Sequence, residues 1–256
     1  MSDNLQADSN DRLRSILVLV ATVAVIAFNA IASAGYVNGV SPAAISAKYP
    51  TPLTPAGYAF SIWSLIYLGL IAFSIYQMLP ANLARFRGIR LLYILSCLLN
   101  CTWIYVWHYD RIGVSLAVIV MLWAVLLLIT VNIRGHASTA DTWMVQAPFG
   151  LYFGWLTAAS LVNFMVMLSW LGVDLQSGMI RILTIIFMLI ATAAAVIVRV
   201  KLANFFYPLA IAWALTAIAV RQSGMTSIVV TAAIGVVVCL VTTGTVVTKL
   251  KDSTSE

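Results

Sequence analysis

The sequence predicts an all-α fold, a polytopic membrane helix bundle of about eight transmembrane helices. Two observations lead to this prediction. Of the 256 residues, 62% are hydrophobic and 9% are charged, and the mean hydropathy is +1.02, which leaves too little polar surface to cover a globule in water. The apolar residues also fall into eight runs of the length that a spanning helix needs, about 20 residues.

The eight predicted spans are separated by polar or proline-containing breaks. Most breaks are short, as expected between neighbouring antiparallel helices. In chain order the spans cover residues 15–35, 57–79, 89–109, 112–133, 143–171, 179–200, 204–220 and 226–248. The polar residues 1–14 and 251–256 are predicted to form an N-terminal and a C-terminal tail.

Basic residues are distributed unequally between the two ends of these spans. Cytoplasmic loops of membrane proteins are enriched in Lys and Arg, and one side would hold Arg12, Arg14, Arg85, Arg87, Arg90, Arg134, Arg199, Lys201, Lys249 and Lys251, the other Lys48, Arg111, Arg181 and Arg221. The sequence therefore predicts that both termini are cytoplasmic. Because the basic residues form no continuous patch, nucleic acid is not an expected partner.

The first span allows a second interpretation. Arg12, Arg14, an apolar run and the small residues 32–34 resemble a secretory signal with its cleavage site, and cleavage would leave seven helices. The three aspartates that precede the run, and its length, are unusual for a signal. We expect a retained first helix.

The connection over residues 36–56 is the longest and contains Pro42, Pro50, Pro52 and Pro55. Prolines restrict the backbone, so this segment is predicted to form an ordered cap, or lid, on the external face. The three cysteines lie inside apolar runs and are expected to act as small packing residues.

Three spans carry a stripe of aromatic and polar residues on one helical face. Residues spaced i, i+3, i+7 and i+11 share a face of an α-helix. The stripes comprise Phe60, Trp63 and Tyr67 in the second span, Asn100, Trp103 and Trp107 in the third, and Tyr152, Trp155, Ala159 and Asn163 in the fifth. Asn gains nothing by facing lipid, so both asparagines are expected to form hydrogen bonds in the bundle interior.

These stripes allow two interpretations. They could pack helices together without a ligand, or they could converge around a slot for a flat apolar molecule. Tight packing between membrane helices favours small residues, whereas bulky rings hold backbones apart, which favours the slot. Recognition would then depend on stacking against Trp63, Trp103 and Trp155, with Asn100 and Asn163 fixing the orientation of the guest.

Several other residues are candidates for a ligand-binding or a structural role. His108 is a candidate haem-iron ligand, or an interfacial residue at the end of the third span. Pro148 would either kink the fifth span or occupy its first turn. Arg221 and Gln222 end the seventh span and are expected at the membrane interface.

The residue types missing from the spans exclude several function classes. No Asp, Glu or Lys lies at mid-depth, which argues against ion-coupled transport, a proton relay or a retinal Schiff base. The sequence shows no phosphate loop, carboxylate pair, metal-ligand cluster or Ser-His-Asp set. We therefore do not expect an enzyme, a metal site or a required cofactor.

With these motifs, the chain resembles the TspO/MBR family, the translocator or tryptophan-rich sensory proteins. Pro55, Phe60, Trp63 and Tyr67 are similar to the family pattern in the second helix, and Leu99-Asn100 with Trp103 to that in the third. Pro148, Tyr152, Trp155, Ala159 and Asn163 are similar to the fifth-helix pattern. The match covers residues 15–171.

The resemblance implies a five-helix core over residues 15–171 and a three-helix extension over 172–250, in an inner (plasma) membrane of a bacterium. It also implies a pocket beneath the first loop for a tetrapyrrole, such as a porphyrin or haem, or for a sterol-like lipid. Trp63, Asn100, Trp155 and Ala159 match family pocket positions. The family commonly forms homodimers, and membrane lipids are further expected partners.

The sequence departs from the family pattern in two places, and these affect how far the family's pocket and ligand apply to this chain. The tryptophan-containing part of the family's first loop is replaced by residues 49–56, and short members have no counterpart of the last three spans. Those spans, nearly free of polar residues, are expected to serve as scaffold or to contact lipid or a partner. We expect a receptor, sensor or carrier-like protein, with a transporter of hydrophobic solutes or a ligand-free structural subunit as alternatives.

Overall fold

The structure is a computed structural model that describes residues 9–135, 138–174 and 178–244. Its helices are α1 (Ser9–Ser33), α2 (Pro42–Lys48), α3 (Ile62–Tyr76), α4 (Arg87–His108), α5 (Ile112–Asn132), α6 (Thr139–Asp141), α7 (Ala147–Trp170), α8 (Gly178–Leu202), α9 (Phe206–Arg221) and α10 (Thr226–Gly244). One 3₁₀ turn, Gly57–Ser61, leads into α3. The C-terminal tail 251–256, the last residues of the eighth predicted span and most of the N-terminal tail lie outside the described residues.

The predicted helical membrane bundle is confirmed. Within the described ranges, seven helical segments are long and apolar enough to cross a membrane. The seventh predicted span corresponds to the shorter α9, whose 16 residues extend about 24 Å at 1.5 Å per residue. The chain is an integral membrane protein built from helices.

The first five long helices form a closed ring. Neighbours in this ring are α1 and α3, α3 and α7, α7 and α5, α5 and α4, and α4 and α1. The last three long helices form a second group, in which α9 contacts α8, α10 and the outer side of α7. Because α7 contacts helices of both groups, it joins the two.

Helix α1 begins at Ser9, six residues before the predicted span. Its polar first turn is held by Asp11, which is 1% exposed and forms ion pairs with Arg87 and the fully buried Arg90 of α4. Further along, Asn29 donates to the Asn100 side-chain oxygen at 2.8 Å, and the Thr22 hydroxyl lies 2.6 Å from that of Tyr93. Removal of α1 would take one or more polar partners from each of these side chains of α4.

The α7 helix continues a helical segment that starts at α6. A π-helical turn, Thr142–Gln146, precedes Pro148, which occupies the first turn of α7. The ring of Pro148 packs on Gly69 of α3, where an added Cβ would lie 2.7 Å from the proline Cβ. The proline thus serves both as a first-turn residue and as a contact between helices.

The outer face of α7 is shaped to receive α9. At Gly154, an added Cβ would lie 2.7 Å from the Tyr207 carbonyl oxygen and 2.8 Å from the Ala210 Cβ. Asn204 fixes the start of α9, because its side-chain oxygen accepts from the backbone N–H groups of Phe206 and Tyr207 at 2.9 and 3.0 Å. Close backbone approach at a small residue is the usual device for pairing membrane helices.

We expect Gly154→Ala to destabilise the bundle, because the new methyl group meets backbone rather than a movable side chain. Overpacking typically costs about 1–3 kcal/mol, more than the roughly 1 kcal/mol that alanine gains over glycine in a helix. Thermal melting in detergent measures the change. Gly113→Ala is the matched control, since its Cβ would meet only the Met167 methyl at 3.7 Å; equal melting temperatures for the two variants would contradict this account.

The lid predicted over residues 36–56 is ordered and contains α2. On one side it is attached to the turn between α4 and α5. Lys48 forms an ion pair with Asp110, the Tyr49 hydroxyl donates to the same carboxylate at 3.1 Å, and Asn38 donates to the His108 carbonyl at 2.7 Å. The hydrogen bond to Asp110 raises the pKa of Lys48 above its ordinary value.

On its other side the lid is attached to α9. The Ala56 N–H donates to the Ala217 carbonyl at 2.9 Å, and Gln222, just past the end of α9, donates to the Thr51 carbonyl at 2.9 Å. The lid is therefore held between the five-helix ring and the C-terminal group.

Candidate functional site

A cavity beneath the lid, which we call the central cavity, contains about 520 Å³ of empty space. Its lining comes from the lid, α3, α4, α7 and α9. The lining residues are Ser46, Pro55, Phe60, Trp63, Trp103, Trp107, Trp155, Ala158, Ala159, Val162, Asn163, Ala214 and Ile218. The lining is mainly apolar and contains no ionisable side chain among the described residues.

Aromatic rings form the walls of the central cavity. Phe60 meets Trp155 edge to face at 5.9 Å between ring centres, and Trp103 stacks on Trp107 of the same helix at 5.9 Å. Both arrangements are favourable for aromatic pairs. The i, i+4 spacing of Trp103 and Trp107 in α4 places the two indoles one turn apart on one face.

Two polar groups of the lining offer hydrogens to a guest. The Trp103 indole N–H is buried and has no hydrogen-bond partner within the described chain. Asn163, 2% exposed, accepts from the Ser115 hydroxyl of α5 through its side-chain oxygen at 2.9 Å. That bond uses one lone pair of the oxygen, and the amide group of Asn163 also carries two hydrogens that a ligand could accept.

Seven of the ten site residues predicted from the sequence meet in the central cavity. They are Phe60, Trp63, Trp103, Trp107, Trp155, Ala159 and Asn163. The three stripes therefore converge, as the helical spacing predicted. Phe60 does so although it lies in the 3₁₀ turn before α3 rather than in a regular α-helix.

Asn100 and Tyr152 lie behind the wall of the cavity rather than in its lining. Asn100 accepts from Asn29 and donates to the Tyr152 hydroxyl at 2.9 Å, so its side chain is used within the bundle. Tyr152 in turn packs edge to face on Trp63 at 5.5 Å. The two residues orient Trp63 from behind, which is the cross-helix hydrogen bonding expected of an interior Asn.

Tyr67 lies in the wall of a second cavity, the side cavity, between α1, α2 and α3. This cavity has about 890 Å³ of empty space, and Phe60 and Trp63 also line it. The Tyr67 hydroxyl is buried without a partner among the described residues, while its ring stacks on Trp63 at 5.3 Å. Phe60 and Trp63 thus form a partition between the two cavities.

Ala214 and Ile218 of α9 also line the central cavity, and neither was predicted from the sequence. The expectation that the C-terminal spans serve only as scaffold or as lipid and partner contacts is therefore wrong for α9. The missed signal is a run of small residues, Ala210, Ala214 and Ala217, at i, i+4 and i+7. Such a stripe allows close approach between membrane helices.

His108 is the last residue of α4 and is buried, at 1% exposure. Its Nδ1 lies 2.7 Å from the Ile104 carbonyl oxygen, so Nδ1 carries the hydrogen and Nε2 faces the interior without a partner in the described chain. His108 does not line the central cavity, and the described residues contain no group of three metal-binding side chains.

Comparisons with known proteins agree with the resemblance noted from the motifs. A family model described as TSPO-like protein matches residues 15–245, so the match continues through α10, well beyond residue 171. Comparison with curated proteins and with solved structures found no match. The family indicates a membrane sensor or ligand-binding protein in general terms. Because the match covers most of the sequence, the chain belongs to the TSPO-like protein family.

Proposed function

We propose that the protein is a membrane receptor, sensor or carrier-like protein that binds a flat hydrophobic ligand, a tetrapyrrole or a sterol-like molecule, in the central cavity. The observation that carries this proposal is the convergence of Trp63, Trp103, Trp107 and Trp155 around empty space. Large rings that only packed helices together would fill that space.

The composition of the cavity supports a small apolar ligand. Ligand sites usually combine apolar walls with a few polar groups, and the lining of the central cavity has this composition. A flat ring system stacks on indole faces without needing a specific hydrogen-bond pattern. We therefore expect affinity for several planar molecules rather than strict selectivity for one.

The unpaired Trp103 N–H supports a ligand that carries an acceptor atom at its edge. A buried donor without a partner costs about 1–3 kcal/mol, and a ligand oxygen or nitrogen would remove that cost. Asn163 offers donors from the same lining. Since none of the described residues that line the cavity is ionisable, we propose binding rather than catalysis, with no cofactor beyond the ligand itself.

We also propose the bacterial inner membrane as the location, with both termini cytoplasmic. The distribution of Lys and Arg supports this orientation. It places the lid and the mouth of the central cavity on the external side. A homodimer, implied by the family resemblance, remains compatible with the lipid-facing surfaces.

Titration of the protein in lipid nanodiscs with protoporphyrin IX tests the proposal. We expect saturable quenching of tryptophan fluorescence with one ligand per chain, because four of the eight tryptophans line the cavity. Quenching that rises linearly without saturation would indicate partition into lipid and would contradict the proposal. Ligand flux in proteoliposomes would separate a carrier from a receptor.

A further inference from the structure

A third cavity, the mouth cavity, lies between the lid and the end of α9. It contains about 330 Å³ of empty space and is lined by Ala43, Ser46, Ala47, Thr54, Pro55, Gly57, Phe60 and Arg221. Ser46, Pro55 and Phe60 also line the central cavity. The two cavities are therefore neighbours separated by shared side chains, and a molecule in one can extend toward the other past Phe60.

Arg221, an exposed residue at the end of α9, is the one charged side chain among the described residues that line the mouth cavity. It forms no hydrogen bond, ion pair or ring contact with any residue that the structure describes, and no acidic residue lines the cavity. Lys48, in the lid, is different because it forms an ion pair with Asp110. A guanidinium without a counter-ion at the entrance of an apolar site attracts anions.

We propose that Arg221 is an anion-binding residue of the ligand site, and that the ligand is an amphiphile with a flat apolar body and a carboxylate. The body would lie in the central cavity against the tryptophans, and the carboxylate would lie in the mouth cavity against Arg221. Arginine suits this role because its planar fork donates two parallel hydrogen bonds to a carboxylate. This inference rests on the proposed function and specifies the class of its ligand.

The polar groups of the central cavity fit the same class of ligand. Trp103 and Asn163 offer donors, as does Arg221, and the described residues that line the two cavities include no carboxylate. A sterol-like alcohol would leave the Arg221 charge unpaired, whereas a carboxylate would pair it. Placed at the end of α9, this subsite belongs to the C-terminal helices and not to the five-helix ring.

A comparison of protoporphyrin IX with its dimethyl ester tests the assignment, because esterification removes the negative charges and keeps the flat body. In the unmodified protein, we expect the diacid to bind roughly tenfold more tightly than the ester, as for a charge-assisted hydrogen bond. In Arg221→Gln this preference should disappear while the ester affinity stays unchanged. Arg221→Lys should keep part of it.

Arg111→Gln is the matched control, an exposed arginine predicted on the same side of the membrane that lines neither cavity. It should keep the tenfold preference. The assignment is overturned if Arg221→Gln keeps the preference, or if it weakens the diacid and the ester equally. If either result is obtained but the ester still binds saturably and depends on the tryptophans, the proposed function stands and only the role of Arg221 is lost. If the unmodified protein shows no saturable binding at all, the proposed function is overturned.

A phospholipid phosphate offers Arg221 the same chemistry as a ligand carboxylate, and the choice of membrane mimetic separates the two. The titrations are therefore run in phosphatidylcholine nanodiscs and in a maltoside detergent, which carries no phosphate. We expect the diacid preference in both. A preference that exists in detergent and vanishes in the nanodiscs would show that lipid phosphate occupies Arg221, and would overturn the carboxylate assignment.

Discussion

Replacing Trp155 with alanine should weaken the binding of protoporphyrin IX more than tenfold while membrane insertion remains intact. Trp155 is 4% exposed, lines the central cavity and holds Phe60 in an edge-to-face contact. The substitution removes one aromatic wall of the cavity and leaves Phe60 without this ring contact. Aromatic stacking contributes about 0.5–1.5 kcal/mol beyond the burial of apolar area. Because the variant loses both the stacking and the apolar contact with the ligand, we expect a loss above the 1.4 kcal/mol that corresponds to a tenfold change in affinity.

Trp170→Ala is the matched control for this prediction. Trp170 ends the same helix, α7, but it is 52% exposed and does not line the cavity. The Trp170→Ala variant should bind the porphyrin with unchanged affinity. Absorbance titration measures this without bias from the loss of one fluorescent tryptophan. Equal affinities for the unmodified protein and for Trp155→Ala would remove Trp155 from the ligand site.

A second large effect is expected from Ala159→Leu, with opposite signs for stability and for binding. Ala159 faces the empty space of the central cavity, so a leucine there fills the space that the ligand would occupy. Cavity filling commonly adds about 0.5–2 kcal/mol of stability. We therefore expect a higher melting temperature without ligand, and loss of saturable porphyrin binding.

The control for Ala159→Leu is Ala117→Leu on the exposed face of α5. This variant adds the same atoms where no cavity exists and should change neither melting temperature nor affinity appreciably. If Ala159→Leu binds the porphyrin as well as the unmodified protein does, the ligand lies elsewhere. If it is strongly destabilised, the space at Ala159 is smaller than the structure indicates.

The fold could be predicted almost completely from the sequence, because each span is marked by its length and hydropathy alone. The ends of the helices could not be predicted from length and hydropathy. The first turn of α1 lies before the predicted span and is held by Asp11, which pairs with arginines of α4; such a long-range ion pair leaves no local signal.

The candidate site was predicted in part, because the 3.6-residue period shows which residues share a face. It does not show how far that face is rotated toward a cavity. Trp63 and Trp155 line the central cavity, whereas Asn100, on an equally marked stripe, is used by Asn29 and Tyr152. Such competition between partners is visible only after the helices are packed.

The contribution of α9 could not be predicted from polarity, since Ala214 and Ile218 are unremarkable in an apolar helix. Their role follows from the close packing of α9 on Gly154 of α7 and from the hydrogen bond between Ala56 in the lid and Ala217. The same helix thus lines the cavity, holds the lid and supplies Arg221 at the mouth. We expect changes in α9 to alter ligand binding as readily as changes in the five-helix ring.

Photo-crosslinking with a diazirine derivative of protoporphyrin IX tests the location of the ligand most directly. The account predicts saturable labelling, competed by unmodified porphyrin, on peptides that contain Trp63, Trp103, Trp155 and the α9 residues Ala214 and Ile218. Labelling confined to lipid-facing residues such as Leu68 and Val237, 65% and 60% exposed, or labelling that free porphyrin does not reduce, would contradict it.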